Sequence, residues 1–354
     1  MRPPFPPSFR RLTTLALAAV NPRHQPIVHH SSLSPPSWPA THTFPMSKFR
    51  LTASHLRTYH EPSLQGPLVL DDDDFTLVPS NTNPIPHIRR THDPAYVDRL
   101  LTKTLADTEQ NAIGFRHGLY ESVLERTLLE VSATMLTFEC ALTHGLATST
   151  SGGTHHAFRG RGSGFTMLND VAVASQRVLE GEEAGRVLII DLDVHQGDGT
   201  ASFSADEGHY LHGKMFTLSV HCEENFPFEK GTSTYDVGLR EGTGDDGYMD
   251  AVQRSVIKAL DEVRPDLVAY IAGVDVWSGD KLGRLDVTMD GMRARDAFVV
   301  EEVVGRGLPL ACVVGGGYEK DVERLAARHS MVSYEAAKVW RRREMYKEKK
   351  RHKQ

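Results

Sequence analysis

Four runs of β-branched and aliphatic residues, 187–192, 215–221, 267–272 and 310–314, punctuate this 354-residue chain. They alternate with stretches apolar at helical spacing, 170–180, 247–263, 289–305 and 319–329. Strand and helix in repeated succession predict a parallel sheet with helices on both faces. The runs are near-continuously apolar, as strands buried on both sides must be. Leu128 to Leu146 is also apolar at helical spacing and meets Gly145, which predicts a core helix. There is no internal repeat of 20–50 residues. No Pro/Gly/Ser linker splits 27–335, so these residues are expected to form one α/β domain.

The first run ends in charge. Val187-Leu188-Ile189-Ile190 gives way to Asp191, Asp193, His195 and Asp198. In extended chain, residues two apart share a face, and ligands of open α/β sheets gather beyond the strands' carboxyl ends. Carboxylates bunched there beside an imidazole need compensating charge, and a divalent metal supplies it. Two more runs close in polar groups, Ala272-Gly273-Val274-Asp275 and Val313-Val314-Gly315-Gly316-Gly317-Tyr318, so three strand ends can meet at one rim. A tandem imidazole pair stands in Gly152-Gly153-Thr154-His155-His156.

Asp193, His195 and Asp275 would give two carboxylates and one imidazole. A catalytic zinc keeps three such protein ligands and one open position, and iron tolerates the same donors. Bound water would then approach a pKa of ~7. His155 and His156 would move protons, with Asp191 or Asp198 fixing an imidazole tautomer. Tyr318, after three glycines, can donate to an oxyanion. The parts suit metal-assisted hydrolysis of an amide. Singly they are weaker: a strand-ending Asp is often a helix N-cap, Gly-Gly-Gly-Tyr can be a tight turn, and most histidines are structural. Asp-x-Asp-x-His followed by Gly-Asp-Gly is the specific signal.

Composition bounds the rest. Three cysteines, Cys140, Cys222 and Cys312, lie far apart and suggest neither disulfides nor a cysteine zinc site. Net charge is −6, yet residues 335–354 hold nine Lys/Arg against three Glu. An acidic body with a basic tail does not predict a broad nucleic-acid-binding face. The tail, 336–354, suits nuclear import, a phosphate-rich partner or a solvated helix end. The first acidic residue is Glu61, and the start is Arg-, Ser- and Pro-rich. Residues 1–26 therefore read as a leader. If it is a transit peptide, it directs the protein to a mitochondrion or plastid. If it is only a disordered segment, nucleus or cytoplasm follows, and Pro3, Pro4, Pro6 and Pro7 disfavour a transit helix. Asp71 to Asp74 reads as a solvated loop. The apolar run 15–20 is too short to cross a bilayer, so a soluble protein is expected. No feature speaks to oligomeric state.

Taken together, the residues resemble the zinc-dependent histone deacetylase superfamily, which includes acetylpolyamine and acetoin-utilisation amidohydrolases. The resemblance spans 27–335 and is nearest the bacterial-type branch beside the class IV deacetylases. It runs in order through FPMSKF (44–49), GGTHHAFRGRGSGFTMLNDVAVA (152–174), DLDVHQGDGT (191–200), NFPFEKGTSTYDVGLREGTGDDGY (225–248), AGVDVWSGDKLGRL (272–285) and GGGY (315–318). It implies an arginase/deacetylase-like fold and hydrolysis of an acyl-lysine amide, or of an acylated small amine as the alternative. Asp193, His195 and Asp275 would hold the metal. His156 would be the general base and acid, paired with Asp198, and His155, paired with Asp191, would tune the charge. Tyr318 would donate to the carbonyl. Gly164, Phe165 and Phe226 would line the tube for the acyl-lysine stem. Ser219 matches a position beside a structural potassium site whose ligands include backbone carbonyls around Asp191.

The sequence departs from the pattern in places. Thr166 stands where many relatives carry Cys. Val276-Trp277 follows the Asp275 ligand where small residues or Pro are usual, and is expected to reshape the mouth. Asp93 is one place off the rim aspartate that grips substrate backbone, so that role is not assigned to it. Two other classes fit worse. A haloacid-dehalogenase-type phosphatase also places two Asp after an apolar strand and uses Mg²⁺, but normally has Thr or Val where His195 stands, and gives the His pair no task. A non-enzymatic binding protein on this scaffold would have lost a ligand or a histidine, and none is lost.

Overall fold

The computed structural model describes residues 24–39, 41–64 and 66–351. Its strands are β1 (Ile27–His29), β2 (Thr76–Leu77), β3 (Leu146–Ser149), β4 (Val187–Asp191), β5 (Met215–Cys222), β6 (Tyr235–Leu239), β7 (Leu267–Ile271) and β8 (Leu310–Val313). They form one sheet in the order β2-β1-β3-β8-β7-β4-β5-β6, parallel at every pairing.

Alternate side chains of each strand enter different cores, which explains the continuous apolar runs. Val187, Ile189, Leu267, Ala269, Ile271 and Val313 belong to one cluster, with helices Leu124–His144 and Asp170–Glu180 over them. Leu188, Ile190, Val268, Tyr270 and Cys312 belong to the other, beneath helices Asp245–Val263, Met289–Gly305 and Met331–Arg351.

Helix boundaries follow local chemistry. Leu124–His144 stops because Gly145 adopts φ 87°, the left-handed turn that ends helices readily only at glycine. It starts four residues earlier than the apolar periodicity suggests. Asp170–Glu180 and Met289–Gly305 match their expected spans, and the former is capped by Asn169, whose side chain accepts from the Ala172 N–H. The last of the four expected helices begins at Val322 rather than 319, capped by Asp321.

The boundary expected at 335/336 moves. Helix Met331–Arg351 crosses it unbroken, and Ala336, Ala337, Val339 and Trp340 are buried. The basic stretch thus begins as the outer part of a packed helix. Residues 1–23 of the expected leader lie outside the described residues. Gln25 does not behave as leader, since its amide donates to Thr148 Oγ1 and the Ser333 carbonyl at 3.2 Å each. Among the described residues no helix is long and apolar enough to cross a membrane, and all three cysteines are free and buried.

Candidate active site

β4 lies between β7 and β5, and the registers bring the critical strands to one rim. Asp191 pairs with Ile271 and with Ser219, and Ile271 pairs with Val313. The polar segments that follow β4, β7 and β8 therefore emerge side by side.

Asp193, His195 and Asp275 converge there, fully buried or nearly so, each with a ligand atom within 4.8 Å of the others'. Backbone groups hold the carboxylates in place. Asp193 accepts from the N–H of Gly316 at 2.6 Å and of His195 at 3.0 Å. Asp275 Oδ1 accepts from the Val194 N–H at 3.0 Å. Its Oδ2 is buried, lies 3.2 Å from His195 Nδ1, and makes no hydrogen bond. A buried carboxylate oxygen without a partner is costly, and a cation between these one-nitrogen, two-carboxylate donors would satisfy it. The set fits a divalent ion, with zinc and iron both compatible.

The tandem histidines sit beside this set, each backed by its own carboxylate. His155 Nδ1–H donates to Asp191 and His156 Nδ1–H to Asp198, both at 2.7 Å. That assignment leaves each Nε2 free for the site. Their basicities diverge. Burial opposes charge on His155, but Asp191 and Asp193 outweigh it and raise it to about 9. Burial and the adjacent His155 charge lower His156 to about 4, against Asp198. The two rings are 4.1 Å apart, so one proton disfavours a second.

Tyr318 closes the site from the β8 side, its ring 6.3 Å from that of His195 and its N–H held by Asp280 at 2.6 Å. Burial foremost, then the Asp275 and Asp193 charges, push its phenol well above the usual value, so it remains a donor. The preceding glycines are required sterically. A Cβ on Gly316 would collide with Asp275 Oδ2, and one on Gly315 would come 2.9 Å from Gly273 Cα.

A cavity of about 430 Å³ opens from His156, His195 and Tyr318 to the surface between Phe165 and Phe226. The Phe226 ring is 5.0 Å from that of His156, and the Phe165 ring 5.9 Å from that of Tyr318. Gly164 can only be glycine, because its Cβ would lie 2.6 Å from the His156 ring. All expected catalytic, metal and tube residues are thus assembled at one place. Ser219 lies in register beside Asp191, but its hydroxyl is 2.9 Å from His221 Nδ1, and the pairing alone defines no cation cage.

The departures resolve. Trp277 does not reshape the mouth: its ring lies under the Arg328 guanidinium at 3.8 Å, away from the cavity lining. Asp93 caps helix Pro94–Leu101, accepting from Ala95 and Tyr96 N–H. Thr166 is buried and donates to the Ser163 carbonyl at 2.8 Å.

Some supporting residues were not anticipated. Asp170 gathers the Gly-Gly-Thr turn by accepting from the N–H groups of Gly153 and Thr154 at 2.9 and 2.8 Å. Arg295, wholly buried, donates to the carbonyls of Gly273 at 2.6 Å and Leu192 at 3.2 Å, which lie just before the two aspartate ligands. Lys48, also buried, donates to the Gly315 carbonyl at 3.1 Å, and burial lowers it to about 8. Asp170 reads in sequence as a plain helix start, Lys48 lies within FPMSKF with no role assigned to it there, and nothing local marks Arg295.

Comparison with known proteins bears directly on this geometry. The histone deacetylase domain family model matches residues 42–333. The chain belongs to the histone deacetylase family. It is 42% identical over 318 residues to an uncharacterised protein of Picosynechococcus sp., covering 89% of this chain and 99% of that one. It is 31% identical over 201 residues to Histone deacetylase 2 of Arabidopsis thaliana, covering 56% of this chain and 51% of that one. The chain therefore spans about half the length of that curated deacetylase. The crystal structure of an HDAC homologue complexed with SAHA superposes with a TM-score of 0.70 at 20% identity, over 90% of this chain and 88% of that one. This deacetylase-family hydrolase thus shares the fold of solved relatives.

Proposed function

We propose that this deacetylase-family hydrolase cleaves the amide of acyl-lysine, water and amide giving carboxylate and free amine. The observation that carries the reading is the meeting of three potential ligands, two carboxylate-backed histidines and a buried phenol at the closed end of an aromatic-walled cavity. A zinc or iron ion on Asp193, His195 and Asp275 would supply Lewis acidity, polarising the acyl carbonyl and acidifying water.

The chain's own groups do the rest. Phe165 and Phe226 sheathe the aliphatic lysine stem and exclude water from it. His156, uncharged near neutrality and oriented by Asp198, accepts the proton of the attacking water at Nε2 and returns it to the departing amine nitrogen. His155, whose Nδ1–H is held by Asp191, keeps its Nε2 turned to the site where negative charge develops. The Tyr318 phenol donates to the former carbonyl oxygen.

The test is turnover of an acetyl-lysine peptide by full-length protein before chelation, after chelation, and after return of Zn²⁺ or Fe²⁺. Loss on chelation and recovery with either ion is expected. Turnover indifferent to chelation removes the metal, and no turnover of acetyl, crotonyl or myristoyl lysine by metal-loaded protein removes the acyl-lysine reading.

A further inference from the structure

We propose that the mouth of the cavity selects acyl-lysine set in an acidic stretch of polypeptide. The proposal rests on the acyl-lysine reading above and narrows its substrate class.

The charged side chains that line the cavity above its floor have one sign. Apart from the histidines and Tyr318 at its floor, the ionisable residues lining the 430 Å³ cavity are Lys281 and Arg284, both exposed, and none of its lining residues is a carboxylate. Two nearby aspartates are engaged elsewhere. Asp280, next in sequence to Lys281, gives one oxygen to the N–H groups of Leu282 and Gly283 and the other to that of Tyr318. Asp93, which would have to reach over the rim, caps its own helix. Arg284 donates to the Glu224 carbonyl at 3.4 Å and has one loose exposed ion-pair partner, Glu241 at 3.6 Å, and such pairs are largely screened.

The positive edge continues outward. Lys281 also lines an open groove of about 980 Å³, which runs past Trp38, Phe44 and Arg50 to Lys320. The groove's one lining carboxylate, Glu319, is paired with Arg328. Among the described residues, no ion pair within 4.0 Å engages Lys281, Arg50 or Lys320. A chain whose lysine stem enters between Phe165 and Phe226 would leave its neighbouring residues at Lys281, with this groove as their path.

Charge complementarity of this kind steers encounter and rejects wrong-signed partners more than it adds raw affinity. Cations converging on a low-dielectric cleft concentrate anions there. An acylated polyamine, or a lysine flanked by lysine and arginine, would bring positive charge to a positive rim. A free acylated amino acid could place its carboxylate at Lys281 but would leave Arg50 and Lys320 unused. The groove therefore favours a polypeptide with aspartate or glutamate near the acylated lysine.

The experiment uses metal-loaded, full-length protein. Its substrates are acetyl-lysine peptides of equal length with glutamate, alanine or lysine flanks, beside free Nε-acetyl-lysine and acetylspermidine, at low and high salt. The same labelled peptides are titrated by fluorescence anisotropy into the His156→Ala variant. The glutamate-flanked peptide should exceed the lysine-flanked one in kcat/KM by about tenfold or more, carried by KM and shrinking with salt. Lys281→Glu and Lys320→Glu should each reduce that ratio severalfold, and Lys281→Arg should keep it. The Lys281 backbone N–H to the Tyr318 carbonyl, at 2.9 Å, survives any of these changes. Equal turnover of all flanks, preference for lysine flanks, or free Nε-acetyl-lysine matching the acidic peptide would overturn the proposal. If no peptide is turned over, the hydrolysis reading has failed, and the anisotropy series judges the rim alone: tighter, salt-sensitive binding of the glutamate peptide sustains it, and flat binding ends it.

Discussion

At the scale of single residues, Tyr318 makes the sharpest demand. Its phenol is buried, kept protonated, and placed beside His195 by a turn that tolerates no Cβ at position 316. Removing one oxyanion donor typically costs about 10²–10³ in kcat. Tyr318→Phe should show that loss with an unchanged thermal midpoint, read from steady-state kinetics and melting curves on the same preparation. Full activity would take the phenol out of the chemistry. Arg295 carries a different expectation. It is buried against Asp296 at 2.9 Å and bridges the segments carrying Asp193 and Asp275. Arg295→Met leaves Asp296 buried without its cation, a change that typically costs about 3–5 kcal/mol. Urea denaturation measures it, and a loss below about 1 kcal/mol would mean the pair is not needed for stability. These two residues also mark what a sequence can disclose. Tyr318 announces itself because three glycines precede it. Arg295 sits in the middle of helix Met289–Gly305, and its partners are backbone carbonyls 103 and 22 residues away, which no local pattern encodes.

At the scale of elements, the strands that carry the site were the legible ones. β4, β5, β7 and β8 are central, buried on both faces and therefore unbroken apolar runs. β2 has two residues, and β6 lies at the edge with half-exposed side chains, so neither leaves a periodic signal. β1 and β3 are short too, and find their places only through long-range pairing. The connection between elements at His92 gives a pH prediction. His92 Nδ1–H donates to the Phe158 carbonyl at 3.0 Å, while its Nε2 accepts from the Asn169 N–H at 3.0 Å. That arrangement needs the neutral ring, and burial lowers it to about 4 from 6.5. The folded value lies below the unfolded one for a group that gains charge on protonation. Its stabilising contribution is therefore present above 6.5 and is lost as pH falls from there toward 4. Unfolding free energy should drop by about 2 kcal/mol from this group between about pH 7 and about pH 5. His92→Gln, which can still donate and accept, should flatten the slope in urea titrations at both pH values. An equal slope in the variant would show that another group governs acid stability.

At the scale of the whole molecule, the site is an agreement between distant parts of the chain. The histidine pair follows β3, two ligands follow β4, the third follows β7 and the tyrosine follows β8. Only the folded sheet brings Asp193, His195 and Asp275 within 4.8 Å, so a cation held there binds the folded state and not the unfolded one. Such binding stabilises by RT ln(1 + [L]/Kd), about 2.7 kcal/mol at a hundredfold excess over Kd. Chelation should then lower the calorimetric midpoint of the whole chain by roughly 4 °C, since each kcal/mol moves a chain of this size by somewhat under about 2 °C. Return of Zn²⁺ should restore it. His195→Ala and Asp275→Ala remove a donor and should melt at one temperature with and without added metal. The measurement needs no substrate, so it examines the ion set apart from catalysis. A midpoint that ignores chelator and metal in the unaltered protein would mean that these three side chains do not act together as ligands, and the hydrolytic reading would lose its centre.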